Sequence, residues 1–379
     1  MDVTSSGPAL DQNWSAKMEL ISAHHQIIWY YVPIILNRQP DTEGEKSKMA
    51  NLSTKFMGLS LKNPIIAGSS GFSSSLAGIK KLEEGGAGAV VLKSIFEEEI
   101  LHEMNDLMKN VPETSRYMER FDYHDLVIKS EKLEKYTTLI KEAKQAVNIP
   151  IVASINCSYS YEWTEYARRL ESAGADALEL NMFFLPTEQE RSAEEMERAY
   201  FNVVEKVVEK VSIPVALKIS YYFTCLGQTI HKLSRMGISG LVLFNRFYSP
   251  DFDIEELKVA QTNILSTPGD LVTSLRWMAL MSQKVDCDLA ASTGIHDGEA
   301  VIKQLLAGAQ VVQVVSALYK NGPFYIQTML EKLEDWMTRH EYETLEDFRG
   351  KMSQDKSTDP GIYERVQFMK YFSGQKDIL

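Results

Sequence analysis

Along residues 50–340, short runs of apolar, β-branched side chains alternate with longer runs in which apolar residues return every three to four positions. The first pattern marks strands covered on both faces, the second amphipathic helices. Strands are predicted at 64–68, 89–93, 151–155, 177–181, 215–219, 240–244, 288–292 and 311–315. Helices are predicted at 76–84, 130–147, 161–172, 193–211, 224–236, 271–283, 298–306 and 323–338. The joints agree with this. GGAGAVVLK, SAGADALELN, RMGISGLVLFN and LAGAQVVQVV each end a helix at glycine, which supplies the positive φ of a C-cap, and enter a strand within a few residues. Pro150 and Pro214 stand at strand entries, where no ladder donor is needed.

Eight strand–helix units in unbroken alternation predict an α/β fold, a (β/α)8 TIM barrel, with a short N-terminal strand pair at 52–56 and 59–61 closing its base. An open doubly wound sheet is the alternative, but no GxGxxG follows the first strand. The connections 94–129, 182–192 and 245–270 are long and all follow strands, whereas the helix-to-strand connections are short. That asymmetry predicts one functional face, at the C-terminal ends of the strands.

Residues 1–48 lack the pattern and end in a polar run at 37–48. The expected organisation is therefore an N-terminal extension outside the fold at 1–48, the barrel at 49–352 and a tail at 353–379. The apolar stretch 20–36 contains His24, His25, Gln26 and Pro33 and falls short of the ~20 apolar residues of a spanning helix. It reads as an amphipathic helix rather than an anchor or a signal peptide.

Charge and cysteine content narrow the function classes. With 40 basic and 52 acidic residues the net charge is −12, which argues against nucleic-acid binding. The three cysteines, Cys157, Cys225 and Cys287, form neither a disulfide framework nor a metal-ligand spacing. The expectation is a cytoplasmic protein with a small-molecule substrate and no metal, nucleic acid or membrane, homodimerisation being left open.

Polar residues at strand ends are the candidates for chemistry. They are Ser69, Ser70 and Gly71 after the first strand and Lys93 after the second. Asn156, Asn181, Lys218 and Asn245 follow at the next four, then Thr293 and Gly294, and finally Ser316 and Ala317. Lysines and amides without an acid pair or a metal suit an isoalloxazine ring. A fixed ammonium stabilises charge arriving near N1 and O2, and amides meet the ring's mixed donor–acceptor edge. The loops after strands 7 and 8 offer the usual phosphate position of a barrel-bound nucleotide. A Schiff-base lysine at Lys218, as in a lyase or aldolase barrel, is the rival reading.

The segments LKNPIIAGSSGF, GAVVLKS, ALELN, VALKI, STGIHDG, LLAGAQVVQVVSALYKNGP and YETLEDFRGKM, spread in order over 50–352, resemble the class 1 dihydroorotate dehydrogenases. The resemblance implies an FMN-bearing barrel that oxidises dihydroorotate to orotate in pyrimidine biosynthesis. It would put Ser69, Ser70 and Gly71 along the flavin, Lys93 between flavin and substrate, Lys218 at the N1/O2 edge, and Asn181 and Asn245 on ring or substrate. Gly294, Ser316 and their neighbours would hold the phosphate.

The chain departs from the family on the substrate side. After the fourth strand the family has Asn-Leu-Ser-Cys-Pro-Asn, with the Cys, or a Ser in related classes, as base. Here the run is Asn181-Met182-Phe183-Phe184-Leu185-Pro186, which puts Phe184 at the base position and Pro186 at the second Asn. The family's Asn-rich loop has no counterpart in 96–123, and Arg246 replaces a serine. Cys225, Tyr221, Tyr222 and Cys157 are the candidates for a relocated base, so Lys93, Asn181 and Cys225 form the expected catalytic set. The expected activity is an FMN-dependent oxidoreductase acting on a CH–CH bond, with its substrate open. The alternative is a non-catalytic FMN- or ligand-binding barrel acting as a sensor or partner subunit.

Overall fold

Parallel strands need a crossover between each pair, and in this chain the crossovers are helical. The computed structural model describes residues 50–96, 118–156, 160–260, 262 and 264–364, with backbone alone over 118–130 and 160–162. The expectations for 1–48, Cys157, the connection 97–117 and the end of the tail lie outside the described residues.

An antiparallel pair comes first, β1 (Thr54–Phe56) and β2 (Leu59–Leu61). Then follow β3 (Ile65–Ala67), helix α1 (Leu76–Glu84), β4 (Ala89–Val91), the two-residue β5 (Ile95–Phe96) and α2 (Met118–Ala146). The middle of the chain supplies β6 (Ile151–Asn156), α3 (Ser160–Ser172), β7 (Ala177–Asn181), α4 (Ala193–Val208), β8 (Val215–Ile219), α5 (Leu226–Ser234) and β9 (Gly240–Leu243). A hairpin, β10 (Asp251–Asp253) and β11 (Lys258–Ala260), precedes α6 (Leu271–Met281). The last units are β12 (Asp288–Ser292), α7 (Gly298–Ala307), β13 (Val311–Val314), α8 (Ser316–Asn321) and α9 (Tyr325–Arg339), with a short α10 (Gly361–Glu364) in the tail.

Pairing runs β4-β3-β13-β12-β9-β8-β7-β6, and the contacts Val90↔Ile151 and Val91↔Val152 join the ends into a closed eight-stranded parallel barrel. This is the (β/α)8 fold with its N-terminal strand pair. Side chains alternate along each strand. The outward set, such as Ile155, Leu180, Leu217, Leu241 and Leu289, packs under the helices. The inward set is layered. Ile66, Val152, Ala177, Ala216, Val242, Ala290 and Val311 form an apolar floor, plugged by Phe56, Met57 and Leu61 of the strand pair. Asp288 Oδ2 accepts the Met57 N–H at 2.7 Å and ties this plug to the barrel. Two residues further along the strands the interior becomes polar, with Ser154, Glu179 and Gln313 all buried.

Three differences from the sequence reading are physical. Helix α2 begins at Met118, twelve residues before the predicted start at 130. No Gly or Pro lies between these points to break it, although its apolar signal starts later. The hairpin β10–β11 lies within the connection 245–270, where the sequence predicts no strand; its Asp-Phe-Asp-Ile alternation is solvated, and Asp253 Oδ1 accepts the N–H groups of Glu255 and Glu256 in its turn. Helix α8 separates from α9 at Gly322, whose φ is +85°.

The division of the chain into two units falls between Lys48 and Met49. A version of the chain starting at Met49 is expected to fold and to melt within a few degrees of the full chain in a thermal unfolding measurement. Loss of folding would make the extension part of the core.

Candidate active site

The polar layer opens upward into a cavity of about 430 Å³ at the C-terminal mouth of the barrel. Ser69, Ser70 and Gly71 reach it from the turn after β3, Lys93 and Ser94 from beyond β4, and Asn181 and Lys218 from β7 and β8. Asn245 and Arg246 follow β9, while Thr293, Gly294 and Ser316 close the far side. Ten of the twelve strand-end candidates for cofactor binding therefore meet in one place. Asn156 and Ala317 do not line it. Asn156 Nδ2 instead donates to the Asn181 carbonyl at 2.8 Å, and Ala317 is fully buried. Cys225 is exposed at the N-cap of α5 and lines neither this cavity nor its neighbour.

The floor of the site is a charge cluster. Lys218 Nζ donates to Gln313 Oε1 at 2.9 Å and lies 3.9 Å from Glu179 Oε1. Gln313 Nε2 donates to Glu179 Oε2. Beside it runs a chain of hydroxyls. Ser69 Oγ is 3.2 Å from Ser94 Oγ, which lies 2.7 Å from Ser154 Oγ and accepts from Asn181 Nδ2 at 3.4 Å. The Tyr136 hydroxyl accepts the Ser154 N–H at 3.0 Å. Burial holds that phenol well above the usual tyrosine range, and the Glu179 charge adds to the effect. Asn245 Nδ2 donates to the carbonyls of Met182 and Lys218, both at 3.2 Å, and so locks the ends of three strands. Asn181 Oδ1 is buried without a hydrogen-bond partner.

On the far side, Thr293 and Gly294 have φ of +77° and +79°. A Cβ at Gly294 would lie 2.1 Å from the Leu271 nitrogen, so only glycine lets this loop pack on the start of α6. The Ser316 hydroxyl accepts the Ser266 N–H at 2.9 Å. Ser266 Oγ also lies 3.1 Å from His296 Nε2, and burial, followed by the Lys320 charge, lowers the His296 pKa. Across the mouth, the Gly71 N–H donates to the Tyr319 hydroxyl at 2.7 Å.

Phe96, Phe183 and Phe244 form one wall, in a cluster of rings that extends beyond the cavity. Phe183 lies edge-on to Phe96 at 6.3 Å and to Phe247 at 5.3 Å; Tyr222 meets Phe247 at 5.2 Å, and Tyr221 meets Phe244 at 5.7 Å. Phe183 faces the cavity. Phe184 turns the other way, onto Tyr200 at 5.4 Å, and lines a second cavity of about 470 Å³ with Tyr200, Tyr221, Tyr222 and Phe223. Hydrogen bonding to Tyr222, then burial, pushes the Tyr221 phenol up to about 12. Among the described residues, no Cys, His, Asp or Glu lines the main cavity.

Sequence reasoning missed Glu179, Gln313 and Tyr319. A signal existed for the first two. Glu179 stands two residues before Asn181, and Gln313 interrupts the apolar run VVQVV, so both share the inward face. No group of three or more His, Cys, Asp or Glu among the described residues could hold a metal, and no described helix is long and apolar enough to cross a membrane.

Comparison with known proteins agrees with the fold. The family described as "Dihydroorotate dehydrogenase" matches residues 51–337. "Dihydroorotate dehydrogenase B (NAD(+)), catalytic subunit" of Thermoplasma volcanium is 24% identical over 80% of this chain and 98% of its own length. "Putative dihydroorotate dehydrogenase A (fumarate)" of Aeropyrum pernix is 25% identical over 79% of this chain and 96% of its own. "Dihydropyrimidine dehydrogenase (NADP(+)), chloroplastic" of Arabidopsis thaliana is 23% identical over 83% of this chain and 80% of its own.

Proposed function

The chain belongs to the dihydroorotate dehydrogenase family, and on that premise we propose that it is an FMN-dependent oxidoreductase acting on a CH–CH bond, with its cofactor in the cavity at the barrel mouth. One observation carries this reading: a single cavity gathers two lysines, two strand-end amides and two loops of small residues. Its volume lies in the range of roughly 300–1,000 Å³ usual for cofactor sites.

The residues present fit the group. Asn181 Oδ1 is a buried acceptor without a partner, and a ring N–H is the kind of donor it lacks. A Cβ at Gly71 would come within 2.8 Å of the Tyr319 hydroxyl, so the glycine lets that hydroxyl reach the Gly71 N–H at the cavity wall. When bound, FMN would supply the hydride acceptor. Lys218 and Asn181 would hold the ring from below, and Ser69, Ser70 and Lys93 would flank it. Thr293, Gly294 and Ser316 would receive the phosphate.

The substrate side differs from what dihydroorotate needs. Phe183 and the aromatic wall favour a more apolar ligand than dihydroorotate. The relatives' names cite NAD(+), fumarate and NADP(+), three different partners, so no electron acceptor carries over to this chain. The lack of a thiol, imidazole or carboxylate among the described lining residues favours a second reading, a flavin-binding barrel without turnover. Reduction of the bound flavin by any metabolite would decide for the enzyme. The aldolase reading needs an amine free to attack, whereas Lys218 Nζ is engaged with Gln313 and sits near Glu179. Borohydride trapping of a lysine adduct would revive it.

The purified protein is expected to be yellow and to release FMN on denaturation. Colourless protein that takes up no added FMN would overturn the proposal.

A further inference from the structure

We propose that Glu179 is a positioning residue that sets the reduction potential of the cofactor site through Lys218, the inference resting on the FMN reading above. Glu179 is 1% exposed, at the level of the barrel axis just above the apolar floor. Burying a carboxylate there is costly unless it is paired and hydrogen-bonded. It is only partly satisfied: Oε2 accepts from Gln313 Nε2, while Oε1 has no hydrogen-bond partner and lies 3.9 Å from Lys218 Nζ.

Gln313 links the two charges across the barrel. Its oxygen accepts from Lys218 at 2.9 Å and its nitrogen donates to Glu179. An amide between an ammonium and a carboxylate has one good orientation, because reversal would turn its donor on the cation and its acceptor on the anion. The carboxylate therefore fixes the amide, and the amide fixes the ammonium. Lys218 and Gln313 present this cluster to the cavity, and Lys218 is its only charged member there, since Glu179 does not line it. A hydrophobic pair would fill the same space without the desolvation cost, so packing does not account for the cluster.

Charge gives the expected sign. A negative group beneath the ring opposes the negative charge that reduction brings, and the ammonium favours it. Removing Glu179 leaves Lys218 uncompensated and makes the bound flavin easier to reduce. Removing Lys218 has the opposite effect.

The test is the potential of bound FMN in Glu179→Gln, measured by equilibration with a reference dye and compared with the unaltered protein. The reduced-to-oxidised ratio at fixed potential is expected to rise about tenfold, which is about 30 mV upward for a two-electron couple. Glu179→Asp, which keeps the charge, should move it less. If Glu179→Gln does not fold, Glu179→Met removes the same charge with an apolar side chain of similar length and should shift the potential the same way. A folded, flavin-bearing Gln or Met variant with an unchanged or lowered potential would overturn the inference and leave Glu179 a structural ion-pair partner. If the unaltered protein binds no FMN, the failure belongs to the cofactor reading instead.

Discussion

Dihydroorotate is expected to reduce the bound flavin about 10²–10⁴-fold more slowly than a site with a positioned base would allow. Oxidation of its CH–CH bond requires a proton to leave one carbon as hydride leaves the other. The family places a thiol or hydroxyl for this on the turn after the fourth barrel strand. Here that turn reads Met182-Phe183-Phe184-Leu185-Pro186. Phe183 faces the cavity and Phe184 packs on Tyr200 in the neighbouring one, and neither ring can accept a proton. Pro186 has no N–H or amide to offer, so polar groups of a bound dihydroorotate would also go unpaired, at about 1–3 kcal/mol each if buried. Orotate should accordingly bind weakly. Stopped-flow reduction under anaerobic conditions is the measurement. Rates on the order of 1–10³ per second would refute the expectation and require a relocated base. Tyr221 is a poor candidate for that role, because a phenol pushed up to about 12 stays protonated at neutral pH. Cys225 is no better placed, since it lines neither cavity, so such a reaction would point to Tyr222, Cys157 or water.

Lys218→Ala is expected to make the flavin harder to reduce. Lys218 Nζ is the cationic end of the buried cluster, with a side chain only 12% exposed. Losing one charged partner in such a site is worth roughly 2–4 kcal/mol, or about 90 mV or less for a two-electron couple. The substitution also strands the Glu179 carboxylate, and breaking a buried pair from one side costs about 3–5 kcal/mol of stability. A lower melting temperature should therefore accompany the lower potential. FMN should still bind in part through the loops around Gly71 and Gly294. An unchanged potential in a folded, flavin-bearing protein would remove Lys218 from the ring's edge.

The eight barrel strands were legible because strands covered on both faces are written as uninterrupted apolar runs, such as Leu241-Val242-Leu243, between glycine-capped helices. Their polar ends were legible for the same reason: Lys93, Asn181 and Lys218 stand out where such runs stop. The start of α2 was not, because the helical apolar periodicity in the sequence begins only near residue 130. Nor was the hairpin β10–β11, whose strands are held by their own pairing and by Asp253 rather than by a core.

Within the site, the division follows the range of the interactions. Which residues end each strand, and that the turn after the fourth strand holds two phenylalanines and a proline, is local information carried by the chain itself. The tertiary structure decided that Phe183 rather than Phe184 faces the cavity, that Cys225 stands outside it, and that Asn156 serves the backbone. It also decided that Lys218, Gln313 and Glu179, 134 residues apart at their widest, share one cluster. Strand periodicity tells which side chains point inward. Which of them meet across the axis depends on how the strands are staggered when the barrel closes, and that register is set by the packing of the whole ring.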